Sequence, residues 1–96
     1  MAANNYEAMA VFSLKDGDEA VAALKEKFQE LIEQNGTMAE VKDWGRRLLK
    51  YPINKENDGY YVLYLFSAQP EFPAEFLRVA GITDGVLRTL VTRQQE

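Results

Sequence analysis

The sequence predicts an α+β domain: one four-stranded antiparallel sheet with two helices on a single face, in the chain order β-α-β-β-α-β. Three observations predict it. An apolar stripe at helical spacing follows a first strand-like segment. Two long β-rich segments come next, joined by a polar run that ends in Asp58-Gly59, a hairpin signal. A short second helical segment then precedes a closing strand.

Tyr6 to Leu14 reads as the first strand. Tyr6, Ala8, Ala10 and Phe12 share one face by period two, and Glu7, Met9 and Val11 share the other. Lys15-Asp16-Gly17-Asp18 breaks the strand and opens a helix. Asp16 or Asp18 is expected to cap its free N–H groups, and Glu19 suits the positive end of the helix dipole. Val21, Leu24, Phe28, Leu31 and Ile32 form the apolar stripe, with Lys25, Lys27, Glu30 and Glu33 largely outside it. Asn35-Gly36 is the stop, Gly36 suiting the left-handed position.

Thr37 to Ile53 is extended. Pro52 bars a helix and belongs near a strand end or sheet edge, and Gly45 in mid-strand predicts a bend or bulge. Tyr60 to Ala68 is the third strand and is apolar on both faces. Gln69-Pro70-Glu71 turns the chain. Pro73 fits the first turn of a helix whose apolar face is Phe76, Leu77 and Ala80 and whose end is Gly81. Asp84-Gly85 turns again. Val86 to Arg93 closes the sheet, with Leu87, Thr89 and Val91 on one side and Val86, Arg88, Leu90 and Thr92 on the other. This order is the ferredoxin-like split arrangement. Two helices cover one side of such a sheet only. On either assignment of faces an apolar set remains outside, including Met9, Val11, Tyr61, Leu63, Leu65 and Leu90, and a contiguous patch of that kind marks an interface.

At 96 residues, 47% hydrophobic and 27% charged, with a net charge of −4, the chain is expected to form a single domain over 1–96, ordered at about 6–93. The longest apolar run, Tyr60 to Phe66, is far short of the roughly 20 residues of a membrane helix, and no secretory leader is visible. The chain has no cysteine and no histidine. Disulfides, thiolate metal sites, cysteine nucleophiles and a Ser-His-Asp triad are thereby excluded, and the usual general base is missing. No convergent carboxylate set appears, so neither an enzyme nor a metal or other cofactor is expected. The spacing of Asp16 and Asp18 superficially resembles the start of a calcium loop, but the following ligand positions hold Ala and Val.

The densest functional feature is Asp43-Trp44-Gly45-Arg46-Arg47-Leu48-Leu49-Lys50-Tyr51-Pro52-Ile53-Asn54-Lys55. Along a strand Arg47, Leu49 and Tyr51 share one face and Arg46, Leu48 and Lys50 the other, unless a bulge intervenes. Arginine offers a planar donor fork to phosphate, and tyrosine can stack on a base. The segment reads either as a nucleic-acid contact or as a solvated strand face whose arginine stems lie along the surface.

The blocks Asp43-Trp44-Gly45-Arg46-Arg47 and Tyr51-Pro52-Ile53-Asn54 resemble the signature of the bacterial small-subunit ribosomal protein S6 family. Tyr6-Glu7, Gly59-Tyr60-Tyr61-Val62-Leu63 and Val86-Leu87-Arg88, with Val91 and Arg93, extend the resemblance over nearly the whole chain. It implies the same β-α-β-β-α-β fold, a cytoplasmic place on the ribosome, and a structural role without catalysis. It also implies two partners: the central domain of small-subunit ribosomal RNA, and the subunit's small basic eighteenth protein as a heterodimer mate. RNA contacts would fall on Arg46, Arg47, Lys50, Lys55, Arg88 and Arg93, and partner contacts on Met9, Val11, Leu49, Tyr51, Tyr61, Leu63, Leu65 and Leu90. Departures from the family pattern are Pro73 and Gly81, which predict a shorter second helix, Lys50 in place of a small residue, and Thr89 at a core-parity position.

Two other classes remain open. An acylphosphatase-like hydrolase would need an anion-cradling loop after the first strand, where Asp16 and Asp18 repel phosphate. A homodimeric small-ligand-binding module could use the bare sheet face but leaves the arginine-rich strand unexplained.

Overall fold

The structure, a computed structural model, describes residues 4–53 and 56–94, with side chains throughout except at 50–53. The elements are β1 (Asn4–Phe12), α1 (Asp18–Asn35), β2 (Gly36–Ile53), β3 (Glu56–Ala68), α2 (Phe72–Ile82) and β4 (Val86–Arg93). The sheet order is β2-β3-β1-β4, and every pairing is antiparallel. β1 and β3 are therefore central, and β2 and β4 are edges.

Both helices lie over the same face. Tyr6, Ala8, Ala10 and Phe12 of β1 and Val62, Tyr64, Phe66 and Ala68 of β3 are buried with Val21, Phe28 and Ile32 of α1 and Phe72, Phe76 and Ala80 of α2. Ala8 and Ala10 are small, and the room they leave on the central strand is filled by rings. Phe28 lies 5.9 Å from Phe12 and 5.3 Å from Phe76, centroid to centroid, and Phe66 lies 5.6 Å from Phe72, edge to face. Such pairs add about 0.5–1.5 kcal/mol each beyond their burial. The buried Tyr64 hydroxyl donates to the Lys25 carbonyl of α1 at 2.9 Å, so no polar atom is left unpaired there. That burial pushes the Tyr64 pKa upward.

Several local expectations give way to the tertiary setting. Neither Asp16 nor Asp18 caps α1: Gly17, at φ +88°, occupies the cap position and its carbonyl receives the Val21 N–H. Asp18 lies inside the first turn and acts only through its charge. Gly36 is extended, at φ −170°, and starts β2 directly. The helix end is served instead by the Asn35 side chain, which donates to the Leu31 carbonyl at 2.8 Å. Glycine is required at 36 by close approach, since a Cβ there would overlap the Ser67 carbonyl of β3. Asp58-Gly59 is not the hairpin turn either, but lies within β3. Gly59 is buried there, and a Cβ would come within 2.6 Å of Val11 Cγ1. β1 ends at Phe12, before the expected Leu14, where Ser13 N–H turns to the Gly85 carbonyl.

α2 is 11 residues against 18 for α1 and continues one residue past Gly81 to Ile82. Its buried face is Phe72, Phe76 and Ala80, and Leu77 points outward. An irregularity between Val11 and Phe12 brings Val86 opposite Phe12, so Val86 joins Thr89 and Val91 on the helix side. Thr89 is thus half-buried opposite Ala10. The bend expected at Gly45 is present: the β2–β3 register shifts between Asp43 and Gly45, and Gly45 has φ +74°.

These glycines separate two physical costs. Gly45→Ala has open space but a strained backbone, and is expected to cost about 1 kcal/mol. Gly36→Ala has relaxed angles but must push two paired strands apart, and is expected to cost roughly 3 kcal/mol. Urea unfolding of the two variants checks the order, and the reverse order would contradict the packing at Gly36.

Candidate partner and nucleic-acid surface

The helix-free face is ordered by the strand register into cross-strand rows. One row runs Lys42, Leu63, Met9, Leu90 across the four strands. On one side of it lies Glu40, Leu65, Glu7, Thr92, and on the other Gly45, Tyr61, Val11, Arg88. The apolar set expected outside the helices thus collects on one face. Its members are not equally accessible. Val11 and Leu63 are 1% and 4% exposed, so they form the floor of the patch, flanked on both sides because they lie on central strands. Met9, Tyr61 and Leu65 are half-buried, and Leu90 on the edge strand is 48% exposed. Leu49 is half-buried but lies where the β2–β3 register breaks, outside these rows. The Tyr51 side chain lies outside the described residues.

The cations do not make one patch. Arg46 stands opposite Tyr60, on the helix side, and its Nε donates to Asp58 Oδ2 at 2.6 Å. Arg47 stands opposite Gly59, on the helix-free side, with its guanidinium over the Trp44 ring at 5.2 Å. Among the described residues Arg47 has no carboxylate partner. Arg88, opposite Val11, is exposed on the same side and near the same end of the sheet. Arg93 pairs with Tyr6, which puts it on the helix side at the far end of β4. The Lys50 side chain and Lys55 lie outside the described residues.

In the sequence Trp44 stands in the basic run and in the signature block, with no distinct role of its own. The fold gives it a distinct place. The bulge leaves it unpaired in the ladder, and it is 41% exposed. The bulge is held by the Gly45 N–H, which donates to Asp43 Oδ1 at 3.1 Å. Asp43 faces the helices, where its other oxygen accepts from Lys25 Nζ at 2.9 Å. The Tyr60 hydroxyl also donates to Asp43, and this bond, with help from Lys25, holds the carboxylate below its usual range. The same bond, together with burial, pushes the Tyr60 phenol up to about 12. This polar knot satisfies its own members and fixes the bulge.

No cluster of three or more metal-ligating side chains occurs among the described residues. No described helix is long and apolar enough to cross a membrane.

Comparison with known proteins bears on this surface. The family described as Ribosomal protein S6 matches residues 5–93. Proteins named small ribosomal subunit protein bS6 from Clostridium novyi (strain NT) and Clostridium perfringens (strain SM101 / Type A) are each 47% identical to the chain. The matches cover 96% and 95% of this chain and 98% and 97% of theirs. A crystal structure of 30S ribosomal protein S6 from Thermotoga maritima matches with a TM-score of 0.91 at 24% identity. That match covers 97% of this chain and 89% of the other, and it supports the fold.

The polar knot makes a titration prediction. The Asp43 carboxylate favours the protonated Tyr60 phenol, so Asp43→Asn is expected to bring the Tyr60 midpoint down from about 12 toward the ordinary value near 10. The sign for stability follows: because the folded phenol titrates higher than the unfolded one, its contribution is complete below about pH 10 and is lost as pH rises through 12. Tyrosine ring NMR across this range, with Tyr60→Phe for assignment, checks both. An unchanged midpoint in Asp43→Asn would remove the hydrogen bond as the cause.

Proposed function

Since the chain belongs to the ribosomal protein S6 family, and so is a structural protein of the small subunit of the cytoplasmic ribosome, we propose that it binds the central domain of small-subunit ribosomal RNA as a heterodimer with the small basic eighteenth protein of that subunit. A place in the subunit entails contact with ribosomal RNA and with ribosomal proteins. The RNA domain and the partner are named by the family resemblance, and one observation supports them: the helix-free face has an apolar floor, with Arg47 on one edge strand and Arg88 on the other.

The apolar rows suit a protein partner, because both described helices lie over the other face of the sheet. Met9, Tyr61, Leu65 and Leu90 would make direct contact, and Val11 and Leu63 would support them from below. Leu49 and Tyr51 would extend the contact along β2. A basic partner suits a chain of net charge −4, which repels RNA at long range and needs help neutralising phosphates. Arg47 and Arg88 are the contacts best placed to share RNA with such a partner. Arg46, tied to Asp58, would contribute less, and Lys50, Lys55 and Arg93 would add peripheral charge. The role is one of scaffolding, with no bond made or broken by this chain.

Two substitutions test the reading. Leu90→Glu puts a charge on an exposed rim position. It is expected to weaken heterodimer formation at least tenfold by calorimetry while leaving the unfolding midpoint of the free protein unchanged. Leu63→Asp would instead bury an unpaired carboxylate and unfold the domain, so it does not test the interface. Arg47→Ala is expected to weaken RNA binding by the heterodimer and to lower the slope of log affinity against log salt by about one. Wild-type affinity across a salt series would leave Arg47 as a solvated strand residue.

A further inference from the structure

We propose that Trp44 and Arg47 together form a receptor for one unpaired RNA nucleotide, the base stacking on the indole and its phosphate meeting the guanidinium. This rests on the RNA-binding reading above and goes beyond it by naming a site and the element of RNA it takes.

Three observations carry it. Trp44 is the chain's only tryptophan, yet 41% of it is exposed on an edge strand, where no other strand of the sheet covers it. Its position is built rather than left over. The bulge at Gly45 re-aims it, and that bulge is held by Asp43, which is itself fixed by Lys25 and Tyr60. Arg47 lies against the indole at 5.2 Å and not against any described carboxylate, whereas Lys25, Lys42, Arg46 and Arg78 are each paired with one. The ring thus steadies the guanidinium itself, while its in-plane N–H donors are committed to no described carboxylate.

A nucleotide supplies both halves of what this pair can bind: a flat π-surface for the indole and an anionic oxygen pair for the guanidinium, on one flexible unit. A base within a duplex keeps its faces stacked on its neighbours, so the site selects a bulged, looped or junction nucleotide. A protein anchor in the same place would need to present an aromatic or apolar group and a carboxylate side by side. The RNA-binding reading favours a nucleotide here, and heterodimer affinity without RNA separates the two occupants.

The experiment uses the full chain with the basic partner protein and a central-domain ribosomal RNA fragment. Wild type, Trp44→Phe, Trp44→Leu and Trp44→Ala are compared for RNA affinity, and for heterodimer affinity without RNA. Trp44→Ala and Trp44→Leu are expected to lose about 5- to 100-fold in RNA affinity, and Trp44→Phe to retain most of it. Heterodimer affinity is expected to stay unchanged in all three. Tryptophan fluorescence of the wild-type complex is expected to be quenched on addition of RNA, and one unpaired base should become protected from chemical modification only when residue 44 is aromatic. Full function in Trp44→Leu would show apolar packing instead of stacking and overturn the proposal. A matching loss of heterodimer affinity without RNA would assign Trp44 to the protein partner and overturn it too. If the wild-type heterodimer binds no RNA, the RNA-binding reading fails as a whole. If it binds and the Trp44 variants match it within twofold, only the nucleotide site fails.

Discussion

A cluster of aromatic rings fastens both helices to one side of the sheet, and the rest of the molecule depends on the side it leaves bare. Phe12 and Phe66 come from the central strands, Phe28 from α1, and Phe72 and Phe76 from α2, with ring separations of 5.3 to 6.5 Å. Ala8 and Ala10 make this geometry possible, because larger residues there would hold the helices off the sheet. Among the described residues there is no third helix with which to cover the other face. The apolar rows there are consequently a property of the fold's size as much as of its sequence.

Within that bare face, central and edge strands divide the work. Val11 and Leu63 sit on β1 and β3, where neighbours on both sides already exclude water, so they contribute to stability before any partner arrives. Leu90 and Trp44 sit on the edge strands and stay accessible. Charge is arranged in the same way. Arg46 is neutralised by Asp58 on the helix side, while its neighbour Arg47 is kept on the other side against an aromatic ring that does not cancel its charge. Edge strands commonly carry charges and bulges that discourage unwanted strand pairing, and β2 has both. Here the bulge at Trp44 also aims a side chain, so one device serves protection and recognition together.

The polar knot of Lys25, Asp43 and Tyr60 links these regions. It ties the first half of α1 to β2, and through Asp43 it holds the backbone turn that places Trp44. Pairs this exposed contribute little to overall stability. Their value lies in local geometry, because a bulge without such a tie has several accessible shapes.

The element order, both helices, the bend at Gly45 and the apolar surplus were legible in the sequence. Each is written in residues close together: the period of Val21, Phe28 and Ile32, the alternation of Tyr6, Ala8, Ala10 and Phe12, and the conformational freedom of a mid-strand glycine. The basic aromatic run and the family it resembles were legible for the same reason. What only the tertiary structure decided depends on residues far apart in the chain. Gly36 and Gly59 are set by backbone approach to Ser67 and Val11, which no local rule contains. An irregularity between two strands moved Val86 to the helix side, and β3 took in Asp58-Gly59 because β2 offered it a partner there. Which of Met9, Val11, Leu63 and Leu90 reach solvent follows from strand order, and strand order is a long-range pairing. Likewise, Arg46 and Arg47 look alike in sequence, and only the cross-strand neighbours, Asp58 for one and a bulged tryptophan for the other, give them different electrostatic fates.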